Sequence, residues 1–255
     1  MPTAQRVQVV TGAASGIGRA VAERLAQDGA LVALVDLDAT GAGAAADAIR
    51  SGGGRAEVVV ADIARSEDCE RAIAAAAALG RLDALVNVAG VMSPHDALET
   101  LSDEELERIL AVNLKAIFRL GRHAVPAMRA AGGGTIVNMA SVHAFATMQG
   151  CAAYAASKGA IVALTRQLAL ELAADGIRVV ALAPGSVDTP LTRRELDRLG
   201  LTLETAGFSR DRRVIGHVSA PAEMAEIVAW LVSPAAAPVN GSTVIADAGL
   251  LAKLI

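Results

Sequence analysis

Short apolar runs alternate with longer stretches of helical spacing along almost the whole chain. Aliphatic runs typical of strands buried on both faces occupy residues 6–10, 31–35, 56–61, 84–88, 135–139, 178–183 and 243–246. Apolar positions three and four residues apart predict helices between them, including 19–27, 39–49, 66–79, 102–129, 154–174 and 221–231. This alternation predicts an α/β fold in which a doubly wound sheet of seven parallel strands has helices on both faces.

Two local signals refine the helix from 102 to 129. The sequence Ser102-Asp103-Glu104-Glu105 is a capping box, which predicts the start of a helix. Pro126 is expected to bend or end it, because proline removes one backbone hydrogen bond.

Composition limits the class of protein. The chain has 255 residues, 53% of them hydrophobic, so residues 1–255 are predicted to form a single domain. A formal charge of −4 gives no reason to expect nucleic acid or an acidic membrane as a partner. No apolar run is long enough to span a bilayer, and Cys69 and Cys151 match no metal or redox motif. We therefore expect a cytoplasmic protein that binds no metal.

A glycine-rich turn follows the first predicted strand and precedes a helix. Residues 11–18 are TGAASGIG, which places Gly12, Gly16 and Gly18 in the pattern G-x-x-x-G-x-G. Glycines allow close backbone approach, and the N–H groups at the start of a helix stabilise phosphate. The turn predicts a pyrophosphate site, although an alanine-rich chain can contain such a turn by chance.

Asp36 ends the second predicted strand, at about the distance from Gly18 that is typical of the carboxylate binding the adenosine ribose. A carboxylate there repels a 2′-phosphate, and Ala13, Ala14 and Leu37 provide no cation to offset the repulsion. We therefore predict NAD rather than NADP as the cofactor. The alternative is that Asp36 only ends the strand or begins a turn.

Tyr154 is the only tyrosine, with Lys158 four residues later and Ser141 thirteen residues earlier. One helical turn separates Tyr154 from Lys158, so both project from the same face of the predicted helix. A nearby ammonium favours phenolate, and a serine hydroxyl can bind the same substrate oxygen. The three side chains predict acid–base chemistry on an alcohol or carbonyl, although a lone Tyr-x-x-x-Lys pair also arises by chance.

Taken together and in order, these motifs resemble the short-chain dehydrogenase/reductase family over nearly the whole chain. The matching positions are 11–18, Asp62, 87–90, Asn113, Ser141, Tyr154, Lys158, Pro184, Gly185 and Thr189. The resemblance implies a single-domain Rossmann fold and the catalytic residues Asn113, Ser141, Tyr154 and Lys158. It implies the cofactor-binding residues Gly12, Ser15, Gly16, Ile17, Gly18, Asp36, Asp62, Ile63, Asn87, Ala89, Gly90, Tyr154, Lys158, Pro184, Gly185, Val187 and Thr189.

The resemblance also implies roles for these residues. Asp62 and Ile63 are expected near adenine, 87–90 along the cofactor and the central strand, and 184–189 around the nicotinamide carboxamide. Lys158 is expected to bond the nicotinamide ribose, and Asn113 to hold a water that links Lys158 to solvent. An asparagine inside a helix can instead cap a kink or bond nearby backbone.

The predicted chemistry is hydride transfer at the carbon of a secondary alcohol. In oxidation Tyr154, as phenolate, takes the hydroxyl proton while Ser141 orients the oxygen. Lys158 and the charge of the oxidised nicotinamide are expected to lower the tyrosine pKa by about three units, which requires roughly 4 kcal/mol.

The substrate pocket is less clearly indicated. The segments after Gly90, Ser141 and Gly185 are expected to line it, together with a lid at 190–218. The candidate substrate residues are Ser141, His143, Gln149, Tyr154 and Ser186, with Met92, His95, Ala144 and Met148 also expected in the pocket. Several arginines make the lid basic, which could attract a carboxylate or phosphate, but the interleaved acidic residues favour an ordinary solvated helix face.

A compact secondary alcohol, such as a sugar, polyol or cyclic alcohol, suits these small and polar residues, with a ketone or lactone as the product. A 3-oxoacyl carrier-protein reductase is the main alternative, although its usual NADPH preference conflicts with Asp36. A non-catalytic NAD-binding regulator is a further alternative, and the presence of Ser141, Tyr154 and Lys158 argues against it.

The C-terminal segment departs from the family pattern at Asn240-Gly241 and Asp247-Ala248-Gly249. Its apolar ending, 250–255, resembles a tail used in tetramer interfaces. The resemblance therefore implies a homotetramer, and packing of the tail on its own subunit is the alternative.

Overall fold

The computed structural model describes residues 5–92 and 97–253, which are built around one parallel sheet. The strands are β1 (Arg6–Thr11), β2 (Leu31–Asp36), β3 (Arg55–Val60), β4 (Arg81–Asn87), β5 (Gly134–Met139), β6 (Ile177–Pro184) and β7 (Thr243–Ala246). They lie in the order β3-β2-β1-β4-β5-β6-β7, and all neighbouring pairs are parallel. The predicted fold class is confirmed.

Helices cover both faces of this sheet. The α-helices of the described residues are α1 (Gly16–Gln27), α2 (Ala39–Ser51), α3 (Ser66–Ala78), α4 (Asp103–Leu110), α5 (Ala116–Ala130), α6 (Ala152–Leu172), α7 (Pro190–Arg198) and α8 (Pro221–Val232). Buried residues of α1, α2 and α8 share one core cluster, whereas those of α3, α5 and α6 share another. The sheet therefore separates two apolar layers.

The central strands explain why the apolar runs are continuous. Val7 and Val9 of β1 belong to the core on one face, and Val10 belongs to the core on the other. Val9 is paired with Ala33 of β2 and Leu85 of β4. Because successive side chains point to opposite faces that are both covered, apolar residues occupy both faces of such a strand, and Gln8 is a buried polar exception in β1.

The strand order reverses between β1 and β4. From β1 the chain continues to β2 and β3 on one side, whereas from β4 it continues to β5, β6 and β7 on the other. At such a point the loops after neighbouring strands separate and leave a crevice at the carboxyl ends.

The predicted helix from 102 to 129 is interrupted. Ser102 caps α4, as predicted, by accepting the backbone N–H three residues later at 3.2 Å. A π-helical segment, Ala111–Lys115, then joins α4 to α5. Pro126 lies inside α5 without ending it, because Ala124 and Met128 on either side are fully buried in the core.

The segment predicted to be a lid, 190–218, contains α7 followed by turns. A backbone bridge between Val187 and Ser219 joins its two ends. Its opening and closing stay a prediction. None of the helices within 5–92 and 97–253 is long and apolar enough to cross a bilayer. His95 and the last two residues of the apolar tail lie outside the described residues.

Candidate active site

The glycine turn joins β1 to α1 at the crevice. Gly12 has a φ of +70°, and a Cβ on it would lie 2.9 Å from the Ala89 Cα. A Cβ on Gly18 would overlap the Gly12 carbonyl oxygen. Larger residues at either position would force the turn away from the neighbouring backbone. The turn thus forms a backbone-lined hollow at the start of a helix, which fits a pyrophosphate.

Two side chains fix this turn. Thr11 Oγ1 accepts hydrogen bonds from two successive backbone N–H groups after β4, at 3.0 and 3.1 Å. Asp36 Oδ2 accepts from the Ala14 N–H at 2.9 Å, and Asp36 Oδ1 accepts from the Asp38 N–H at 3.0 Å. These hydrogen bonds hold the Asp36 carboxylate in place. Its remaining lone pairs can accept hydrogen bonds from hydroxyl groups.

A cavity of about 320 Å³, the glycine-turn cavity, lies over this turn. Its lining includes the predicted residues Gly12, Ser15, Gly16, Ile17, Gly18, Asp36, Asp62, Ile63, Ala89, Gly90 and Thr189. Val91, Val112 and Arg194 also line it and were not predicted. Val91 follows Gly90 and Arg194 lies in the lid, two segments that were expected at the substrate pocket, whereas no motif indicates Val112.

Asp62 and Asn87 form hydrogen bonds within the protein. Asp62 Oδ1 accepts from the Ala64 N–H at 2.9 Å, although the residue still lines the glycine-turn cavity. Asn87 Nδ2 donates to Asn138 Oδ1 of β5 at 2.8 Å, inside the sheet. Asn87 is not among the residues that line the cavities at this crevice, so its role as a cofactor ligand stays a prediction.

A second cavity, of about 510 Å³, adjoins the first, and we call it the tyrosine cavity. Its lining includes the predicted residues Ser141, His143, Tyr154, Lys158, Pro184, Gly185, Ser186, Val187 and Thr189. The residues that line both cavities are Ile17, Val88, Gly90, Thr189 and Leu191. The predicted acid–base group and the predicted cofactor site therefore share a wall.

Ser141, Tyr154 and Lys158 meet in the tyrosine cavity. Ser141 follows β5, and the other two residues lie one turn apart in α6. A hydrogen bond joins Ser141 to the Tyr154 side chain. Lys158 Nζ lies 5.5 Å from the centre of the tyrosine ring and donates to the Met139 carbonyl oxygen at 2.8 Å. The fold thus brings the three predicted side chains together.

Burial controls the proton affinities of this group. Desolvation raises the pKa of Tyr154 to about 12, and the hydrogen bond with Ser141 only partly opposes it. Burial lowers the pKa of Lys158 to about 8, because the ammonium loses its hydration. Lys158 by itself does not lower the pKa of Tyr154, because desolvation dominates and the ammonium bonds the Met139 carbonyl; the predicted lowering with the nicotinamide charge stays a prediction. Tyr154 is therefore a neutral phenol at neutral pH.

Asn113 lies in the π-helical segment and binds the loop after β4. Its Oδ1 accepts from the Val91 N–H at 2.8 Å, and its Nδ2 donates to the Val91 carbonyl at 2.9 Å and to Ser157 Oγ at 3.1 Å. A Cβ on Gly90 would lie 3.4 Å from Asn113 Oδ1 and 3.6 Å from Lys158 Nζ. Asn113 and Lys158 thus flank the same backbone, and the water relay stays a prediction.

The predicted substrate residues are only partly brought together. His143 and Ser186 line the tyrosine cavity, whereas Gln149 is exposed and lies outside the lining. The His143 ring packs edge-on against Tyr154 with centroids 5.3 Å apart, and its Nδ1 lies 2.9 Å from Thr147 Oγ1. His143 therefore packs against one side of the Tyr154 ring. Met92 and Met148 also line the cavity.

A buried carboxylate in this cavity was missed by the sequence analysis. Glu195 of α7 lines the tyrosine cavity and is only 7% exposed. Arg198 Nη1 lies 3.3 Å from Glu195 Oε1. Burial raises the pKa of the Cys151 thiol, and the negative charge of Glu195 raises it further. In the sequence Glu195 is one of several acids among the arginines, and only its burial distinguishes it.

Comparisons with known proteins agree with this geometry. A family model described as Enoyl-(Acyl carrier protein) reductase matches residues 12–251. The chain is 41% identical to a cis-4-hydroxycyclohexanecarboxylate dehydrogenase from Sinomonas cyclohexanicum, with 98% of each chain covered.

Two solved structures have the same architecture. A putative NAD(P) dependent gluconate 5-dehydrogenase from Beutenbergia cavernae, with NADP bound at low occupancy, gives a TM-score of 0.87 at 41% identity, covering 97% of both chains. The 3-ketoacyl-(acyl-carrier-protein) reductase from Brucella melitensis, complexed with NADH, gives 0.85 at 35% identity, covering 96% of this chain and 98% of that one. Because the similarity spans nearly the whole chain, and because Ser141, Tyr154 and Lys158 meet beside the glycine turn, this protein belongs to the short-chain dehydrogenase/reductase family.

Proposed function

We propose that the protein is an NAD-dependent oxidoreductase that interconverts a small secondary alcohol with its ketone or lactone. One observation supports this proposal most directly. Ser141, Tyr154 and Lys158 line the tyrosine cavity, which shares a wall with the glycine-turn cavity. Nicotinamide dinucleotides in two similar structures support the cofactor class.

The residues of the crevice fit such a cofactor. The hollow at Gly12 accommodates a pyrophosphate, and Asp36 can accept ribose hydroxyls. Asp62 and Ile63 line the same cavity, and the residues after β6 line the tyrosine cavity, where the nicotinamide is proposed to bind. When bound, this group supplies the hydride acceptor or donor.

Asp36 supports NAD over NADP. Its carboxylate is held by the N–H groups of Ala14 and Asp38, so its charge stays at the cavity. A fixed carboxylate repels a 2′-phosphate but accepts a ribose hydroxyl. Catalytic efficiencies measured with both cofactors test this assignment, and a preference for NADP would contradict it.

Tyr154 is proposed to carry the proton at the substrate oxygen, with Ser141 orienting that oxygen. As a neutral phenol, Tyr154 can donate its proton to a carbonyl in reduction. Oxidation requires that the phenol first lose its proton, which the raised pKa opposes. We therefore expect oxidation to accelerate as the pH rises, and reduction to be favoured near neutral pH.

The charges in the tyrosine cavity support an uncharged substrate. Apart from Lys158, whose ammonium bonds a backbone carbonyl, the described lining contains no Lys or Arg, and the Glu195 carboxylate in the lining is paired with Arg198. A substrate carboxylate would therefore find no unpaired cation in the described lining, and burying a carboxylate without one is costly. We therefore place neutral cyclic alcohols, polyols and sugars ahead of hydroxy acids.

A substrate panel followed by nicotinamide absorbance tests the function. It includes cyclohexanol, cyclic diols, galactitol, 4-hydroxycyclohexanecarboxylate and a 3-oxoacyl thioester, each with NAD(H) and NADP(H). We expect the highest efficiency with a neutral secondary alcohol or its ketone. Exclusive turnover of the thioester would favour the carrier-protein reductase, to which the NADH-bound structure is similar. Tight NADH binding without any turnover would favour a regulator.

We further propose a homotetramer in the cytoplasm, with the segment 190–218 acting as a lid. Light scattering that shows a monomer at working concentration would contradict the tetramer, and cell fractionation tests the compartment. The lid predicts that backbone amides between 199 and 218 exchange more slowly with solvent when NADH and a substrate analogue are bound.

A further inference from the structure

The lid segment contains six arginines, and all but one of them lie beside a carboxylate. Arg193 and Arg210 contact Asp188, Arg198 contacts Glu195, Arg212 contacts Glu223, and Arg213 contacts Asp211. Arg194 forms no hydrogen bond or ion pair within residues 5–92 and 97–253, and it is exposed. Carboxylates within the segment, Glu195 and Asp211, and just outside it, Asp188 and Glu223, therefore pair with the other five arginines and leave Arg194 unpaired among the described residues.

Arg194 is also the arginine that lines the glycine-turn cavity. It lies one helical turn after Pro190 in α7, and both residues border the cavity. The beginning of α7 lies close to the glycine turn, because a Cβ on Gly16 would be 3.4 Å from Thr189 Cβ and 3.7 Å from Pro190 Cδ. Helices α1 and α7 thus begin close to each other, and both border the glycine-turn cavity.

Arg194 is the only cation in the described lining of the glycine-turn cavity. The other ionisable residues in its lining are Asp36 and Asp62, both acidic. A dinucleotide carries two negative charges on its pyrophosphate, so two carboxylates without a cation would oppose its binding. A guanidinium is well suited to phosphate, because its planar N–H groups bind two oxygens at once.

We propose that Arg194 binds a pyrophosphate oxygen of the dinucleotide from α7, close to the N–H groups at the start of α1. This inference rests on the proposed function, since it requires the dinucleotide to occupy the glycine-turn cavity. Leu191, Glu195 and Leu196 of the same helix line the tyrosine cavity. Arg194 therefore links pyrophosphate binding to the position of the helix that forms part of the substrate wall.

Calorimetric binding of NADH, NADPH, ADP-ribose and adenosine tests the proposal. We expect Arg194→Gln to lower the affinity for NADH, NADPH and ADP-ribose by a similar factor, about tenfold. The affinity for adenosine, which lacks phosphate, should not change. Arg194→Lys should recover part of the lost affinity. Added salt should reduce the difference in affinity between the unmodified protein and Arg194→Gln. Arg213→Gln is the control, because it removes the same charge from an exposed residue that lines neither cavity.

Three results would overturn the proposal. If Arg194→Gln binds ADP-ribose with unchanged affinity, Arg194 does not contact the pyrophosphate. If the affinity for adenosine falls by the same factor, the substitution has distorted the cavity instead. A loss confined to NADPH would indicate a contact with the 2′-phosphate. Failure of the unmodified protein to bind ADP-ribose or NADH would instead contradict the proposed function itself.

Discussion

The two adjoining cavities are built in different ways. The glycine-turn cavity is shaped by backbone, at Gly12, at the start of α1 and in the loop after β4. The tyrosine cavity is shaped by side chains, which come from α6, α7, the loops after β5 and β6, and the C-terminal turn. A backbone-shaped site tolerates few residue types near the turn, whereas a side-chain-shaped site changes its chemistry with each substitution.

This difference separates two kinds of effect. Changes around the glycine turn should alter the affinity for the dinucleotide and the choice between NAD and NADP. Changes around Tyr154 should alter turnover while the dinucleotide still binds. A substitution that moves both quantities together would show that the shared wall couples the cavities.

Tyr154→Phe is expected to have the largest effect. It removes the proton carrier but keeps the ring that packs against His143. Turnover should fall by about a thousandfold, in the range typical of acid–base catalysis, with NADH affinity within about twofold of the original. Steady-state kinetics and calorimetry measure the two quantities. Near-normal turnover would end the proposed chemistry.

Asp36→Ala should change the cofactor preference by roughly ten- to a hundredfold. The substitution removes the charge that opposes a 2′-phosphate and the acceptor for a ribose hydroxyl. The measurement is the ratio of the efficiencies with NAD and NADP. Asp38→Ala is the matched control, because Asp38 caps α2 and does not line the cavity. An equal change in both variants would assign the effect to the local turn.

Lys158→Met should lower turnover by less than Tyr154→Phe does, and yet stabilise the fold at pH 7 by roughly 2 kcal/mol. Burial lowers the pKa of Lys158 from 10.5 to about 8. Removing a lysine with that shift should raise the free energy of unfolding by roughly 3 kcal/mol. Loss of its hydrogen bond to the Met139 carbonyl should lower it by about 1 kcal/mol. Chemical denaturation measures the gain, and Lys115→Met, at an exposed lysine, is the control.

The pH dependence of this gain gives a sharper test. Between pH 8 and 10.5 the unfolded chain keeps the Lys158 proton that the folded protein has lost, so the unmodified protein becomes more stable as pH rises. The advantage of Lys158→Met should therefore shrink across that window. A constant advantage would show that the lysine is not desolvated.

Asn113→Ala should have the smallest effect of the four. It leaves the partly buried N–H and carbonyl of Val91 without their partner, so we expect a loss of about 1 kcal/mol in the free energy of unfolding. If the proton relay operates, turnover also falls by about tenfold while NADH affinity is largely kept. Unchanged turnover would remove Asn113 from the catalytic set and leave it a structural role at the loop.

Local patterns explain why the strands and the glycine turn were predictable. A strand covered on both faces is mostly apolar, as in β1, where Val7, Val9 and Val10 are fully buried, and a turn with Gly12 at positive φ disfavours other residues. The effect of Pro126 was harder to predict, because α5 continues through it with the buried Ala124 and Met128 on either side. The π-helical segment around Asn113 was not predicted, since its contact with Val91 is distant in sequence.

The sequence by itself determined the doubly wound fold, the glycine turn and the identity of Ser141, Tyr154 and Lys158, because each rests on spacing within one element or on a motif. Only the tertiary structure decided which charges are buried. It placed Glu195 in the tyrosine cavity, left Arg194 uncompensated at the glycine-turn cavity, and raised the pKa of Tyr154. Desolvation and ion pairing depend on what packs around a group, and those neighbours come from distant parts of the chain.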